Sequence, residues 1–139
     1  MKKKYKIHSE NPWLYIQNAR QILKEKAGKD EEFYIYPKYV RMAGHTAYMG
    51  VLITLNELMQ KEGFQKRGRK KVEDYIDFLA KRNRKILNYF NEVYEILHLY
   101  MGYDGGLNSK VCNIGIEYAE KIIEWVETQL GKKWNKQEK

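Results

Sequence analysis

Apolar positions recur every three or four residues along most of the chain, and the recurrence lapses in a few short polar stretches. The longest periodic segment is Tyr36–Gly63. Within it Val40, Ala43, Ala47, Val51, Leu55 and Leu58 fall on one helical stripe, widened by Tyr48, Leu52 and Met59. Between Met49 and Leu55 only Thr54 is polar, which predicts a helix buried on most sides at its middle. Pro37 suits a first helical turn, where its missing N–H is no loss, and Gly63 suits the left-handed residue that ends a helix. Gly44 and Gly50 each cost roughly 1 kcal/mol of helix propensity relative to alanine. Together with Ala43 and Ala47 they predict close approach of a neighbouring backbone. The other helices are expected to pack around this one.

Before it, Trp13, Ile16, Ala19, Ile22 and Leu23 form the stripe of a first helix, capped by Ser9 or Asn11, started by Pro12 and ending near Ala27-Gly28. Lys29–Tyr36 reads as a loop, with a hint of strand alternation at Glu32–Tyr36. After the basic connector Gln65–Lys71, the residues Val72, Tyr75, Ile76 and Leu79 predict a short helix. A bend near Arg82-Asn83 follows, then a long helix to about Tyr100 through Ile86, Leu87, Phe90, Val93, Tyr94 and Leu97; one continuous helix is the alternative. Gly102-Tyr103-Asp104-Gly105-Gly106 is a turn-rich break. Asn108 caps the last helix, and Leu107 is placed to staple against Cys112. Two stripes run down that helix, one through Val111, Ile114, Tyr118, Ile122 and Trp125, the other through Ile116, Ala119, Ile123 and Val126.

Short connections between long amphipathic helices favour antiparallel neighbours. The predicted fold is all-α, an up-and-down four-helix bundle with an additional short helix. With 139 residues the chain is long enough for one domain, placed at residues 9–130 between a basic tail (1–8) and a polar tail (131–139). The lone Cys112 excludes an internal disulfide and fits a reducing compartment. The N-terminus is basic but no apolar core follows it, and the run Val51–Ile53 is far too short to span a bilayer. A cytoplasmic protein without membrane contact is therefore expected. Trp13, Trp125 and the wide stripes exceed what one small core needs, which points to a homodimer.

Several stretches resemble a known group. VRMAGHTAYMGVLITLNELM (residues 40–59) looks like the second helix of HEPN-type domains, and LHLYMGYDGGLNSKVCNIGIEYAEKIIEWVE (97–127) like the last two helices of that fold. With the NPW start, the YPKYV segment and the KILNYFNEVYEILHL helix, the chain resembles an uncharacterised bacterial family of small HEPN-like proteins across roughly residues 9–127. The resemblance implies a four-helix core, often dimeric. Many HEPN domains are RNases, but their Arg-x4-6-His motif is absent: Arg82, Arg84 and His98 have no partner at the required spacing, and Arg41 and His45 are too close and on another helix. No residue is carried over as catalytic.

Net charge changes the picture more than any motif. The formal charge is +8, and Lys66, Arg67, Arg69, Lys70, Lys71, Lys81, Arg82, Arg84 and Lys85 face only Glu73, Asp74 and Asp77 between residues 66 and 85. A bend near Arg82 would bring both clusters onto one surface, with Tyr75 and Tyr89 available to stack, a footprint suited to RNA or DNA; a solvated helix face is the plainer reading. Arg41 and His45 lie one helical turn apart and, with His98, form a second candidate polar site. Glu95-Ile96-Leu97-His98 matches one Glu-x-x-His unit of di-iron bundles, but the second unit is missing. A helix N-terminus would lower the pKa of Cys112, yet no base is identifiable beside it. No metal, cofactor or phosphate loop is expected. The favoured reading is a non-enzymatic binding or interaction module with a protein partner; the alternative is an RNA-binding, possibly RNA-cleaving, protein.

Overall fold

Local capping chemistry sets most of the boundaries in the computed structural model, which describes residues 10–66 and 68–136. The basic tail 1–8, the capping candidate Ser9, Arg67 and the last three residues lie outside the described residues. Helix α1 (Pro12–Glu25) starts where the Asn11 side chain accepts the Trp13 N–H at 3.0 Å. It stops short of Gly28, whose φ of 66° breaks the winding. The expected loop holds a small hairpin, β1 (Lys29–Asp30) and β2 (Phe33–Tyr34), with Glu31 in the left-handed region at its turn. Backbone bonds from Tyr34 N–H to Leu107 O and from Ser109 N–H to Glu32 O tie this hairpin to the start of the last helix.

Helix α2 (Pro37–Lys61) is the predicted central helix, and it packs on α1, on the segment after α4 and on α5. Its small residues serve the close approach the spacing implied. A Cβ at Gly44 would sit 2.6 Å from the Leu97 carbonyl oxygen, and one at Gly50 would sit 2.9 Å from Tyr15 Cβ. Helix α3 (Val72–Ala80) and helix α4 (Arg84–Val93) are separated by the bend expected at Arg82-Asn83. There the Asn83 side chain caps α4 by accepting the Ile86 N–H at 3.1 Å.

The helix then continues past Tyr100 in another winding: Tyr94–Tyr103 is π-helical. Helix α5 (Ser109–Leu130) is capped by Asn108, which accepts from Lys110 and Val111, and Gly131 closes it at a φ of 70°. One core joins all five α-helices and the π-helical segment, with Ile16, Leu55, Leu79, Phe90, Leu97 and Ile122 among its fully buried side chains.

Two expectations at the surface change. Trp13 is buried, and its Nε1–H donates to the Glu127 carboxylate at 2.9 Å; Trp125 is half-buried against the same core. Trp13 is thus used within the chain, and Trp125 partly so. The described part of the polar tail folds back. Trp134 packs on the core with its N–H donating to Glu127, and Asn11 Nδ2 donates to the Asn135 carbonyl at 2.7 Å. Among the described residues no helix is long and apolar enough to cross a membrane.

Candidate functional site

A groove of about 580 Å³ runs between α2, the connector 62–71 and the π-helical segment. From α2 it takes Tyr48, Leu52 and Asn56; from the connector Gly68, Arg69 and Lys70; from α3 Val72 and Tyr75; from the π-helical segment Tyr94 and His98. Tyr94 and His98 are four residues apart on one helical face, and their rings lie 5.1 Å apart. The His98 ring also stacks on Tyr48 at 4.8 Å. Three rings thus form one wall and two cationic side chains stand on another.

Burial first, and the neighbouring His45 second, hold the His98 pKa below its ordinary 6.5. Its Nδ1 is buried without a hydrogen-bond partner, a polar atom that a charged ring would leave still worse off. Burial, ahead of the nearby Tyr94 and Tyr75, pushes the Tyr48 hydroxyl well above the usual phenol range. Tyr48 and His98 are therefore uncharged near neutral pH. The linkage has a definite sign. Below pH 6.5 the unfolded chain protonates His98 while the folded chain resists, so stability falls as pH drops from 6.5 toward the folded pKa. Melting curves at stepped pH are expected to show this decline in the wild type, and His98→Phe to remove its share.

The structure divides the basic cluster. Arg69 and Lys70 line the groove. Lys66 is 2.6 Å from Asp74, whose carboxylate also accepts the Lys71 N–H at 2.6 Å. Lys66, then the Lys71 N–H, holds the Asp74 carboxyl below the usual carboxylate range. Arg82 bonds Glu62 at 2.6 Å and the Phe78 carbonyl, with its guanidinium 3.7 Å above the Phe78 ring. Arg84 and Lys85 open α4, and Lys85 stands 6.0 Å from the Tyr89 ring. The rings expected to stack on nucleic acid pack on other rings of the chain. Tyr75 is buried, stacks on Phe90 at 5.9 Å and donates its hydroxyl to Asn56; Tyr89 stacks on Tyr118 at 4.9 Å.

The second candidate set comes together only in part. His45 and His98 rings lie 6.3 Å apart. Arg41 instead donates to the Tyr103 and Asp104 carbonyls at 3.3 and 3.4 Å, at the end of the π-helical segment. A guanidinium there satisfies orphan carbonyls and meets the negative end of the helix dipole. Cys112 is a small buried cysteine, and burial pushes its thiol up to about 12. Glu95 is exposed, and no group of three or more His, Cys, Asp or Glu among the described residues is placed to hold a metal.

Tyr48 and Tyr94 were legible only as stripe residues, and Asn56 carried no signal in the sequence. A tyrosine and a histidine spaced four apart in an otherwise aliphatic stripe was the available signal. The chain is similar to a solved structure described as a protein of unknown function from Dyadobacter fermentans, at 48% identity and a TM-score of 0.80, covering 86% of this chain and 93% of that one. No curated protein matches. Residues 8–128 match the family model described as Domain of unknown function (DUF5618), nearly the span of the resemblance noted in the sequence. The chain belongs to that family.

Proposed function

We propose that this protein is a HEPN-like four-helix bundle with an additional short helix, acting as a non-enzymatic binding module that holds single-stranded RNA in the groove beside α2. One observation carries the reading: Arg69 and Lys70 share a groove with the half-buried rings of Tyr94 and His98, which the buried Tyr48 ring backs. Cations that track a phosphate backbone beside aromatic side chains that meet bases are the recurring means of holding single strands. A duplex would not present unstacked bases to these rings. The non-enzymatic part of the reading rests on His98. Its ring is packed against two tyrosines with Nδ1 buried, which suits a wall better than a base that must exchange protons with substrate.

The test is fluorescence anisotropy with a labelled mixed-sequence single-stranded RNA. The wild type is expected to bind, and Arg69→Glu/Lys70→Glu to weaken binding by at least about tenfold, since two favourable charges become two repulsive ones on a track of phosphates. Both side chains lie on the connector, where Lys70 is half-buried and Arg69 exposed, so the fold should be unchanged in circular dichroism. Equal affinity of variant and wild type would overturn the assignment. The RNA recovered from the titration is expected intact on a gel.

A further inference from the structure

The groove does not end at Asn56. Beside it lies a second hollow of about 650 Å³, lined by Asn56, Gln60, Phe64, Gln65, Lys66 and Lys70. Asn56 and Lys70 belong to both. The two lobes differ in chemistry. The first is walled by rings, which accept any base because every base has a π-face. The second carries three carboxamides, each with two N–H donors and a carbonyl acceptor, the groups that read the edge of an unstacked base.

Asn56 at the junction is held in one orientation, because its Oδ1 accepts the Tyr75 hydroxyl at 2.8 Å. That leaves its Nδ2 hydrogens as the donors for a ligand. Lys66 is engaged by Asp74, and Asp74 also anchors Lys71 N–H; Arg69 and Lys70 lie between those two anchored residues. The connector therefore presents one cation shared by the lobes, Lys70, and one on the aromatic side, Arg69. Each lobe is within the size range of a small-molecule site, about 300–1,000 Å³.

From these features we infer that the two lobes form one site for a dinucleotide step of single-stranded RNA. One base is held by the rings whatever its identity, the linking phosphate lies at Lys70, and the other base is read by the carboxamides. The inference rests on the RNA-binding reading above and adds a length and a specificity to it.

The experiment is a competition titration on the full chain, with uridine oligomers of increasing length from the mononucleotide and with dinucleotides that differ at one base. Affinity is expected to rise about tenfold or more from one nucleotide to two, the size of one base contact, and to rise only slightly with each nucleotide after that. Changing one base of the dinucleotide should alter affinity, while changing the other should not. Gln60→Ala/Gln65→Ala should reduce that discrimination, because two of the three carboxamides that read the base are removed. Steady growth of affinity with length and no break at two, or equal response to both bases, would overturn the dinucleotide site while leaving RNA binding intact. Absence of binding at every length would overturn both.

Discussion

Phe90→Ala is expected to destabilise the protein by about 3–5 kcal/mol, read as a drop in the urea midpoint at unchanged slope. Phe90 is fully buried, and its ring stacks on Tyr75 at 5.9 Å. Truncation removes the transfer energy of the ring and leaves a cavity that α4 can close only by moving against its neighbours α3 and α5. The loss is a large share of the roughly 5–15 kcal/mol that holds a small domain together. It should also reach the groove, because Tyr75 loses its stacking partner while holding Asn56 in place.

Gly44→Ala is expected to destabilise by about 1–3 kcal/mol, although alanine is the better helix former by roughly 1 kcal/mol. The added methyl would meet the Leu97 carbonyl oxygen and Met101 Cβ at 2.6 Å and the Gly102 backbone nitrogen at 2.9 Å. Two of those atoms are backbone, so no rotamer change relieves the contact; α2 and the π-helical segment must separate. Thermal melts of Gly44→Ala beside the wild type check this. A variant as stable as the wild type would mean that the two backbones are not in close contact.

Elements set by residues near each other in sequence were legible before any coordinates. The stripe from Val40 to Leu58, the bend at Asn83 and the cap at Asn108 all depend on residues within a few positions of one another, and the small residues on α2 showed as breaks in helix propensity. The hairpin was nearly invisible because strands of two residues each show no period. The π-helical winding was invisible for another reason. The apolar positions from Val93 to Met101 satisfy an α-helical stripe equally well, so the local pattern does not distinguish the two windings. The groove is assembled from Asn56, Lys70 and Tyr94 on three separate segments, so only the Tyr94–His98 spacing could show in one dimension. Charge counting found Arg69 and Lys70, but it grouped them with Lys66 and Arg82, which acidic partners already occupy.

The most direct test of the aromatic and cationic groove is the salt dependence of RNA affinity for the wild type and for Tyr94→Leu. Each phosphate contact on a single strand contributes about −0.7 to the slope of log affinity against log salt, so Arg69 and Lys70 together predict about −1.4. Binding to the wild type should persist at near-physiological salt, because base contacts are not screened. Tyr94→Leu should keep the slope and lower the affinity at every salt concentration. Affinity that vanishes as salt rises, or that Tyr94→Leu leaves untouched, would contradict a groove that holds bases against its rings.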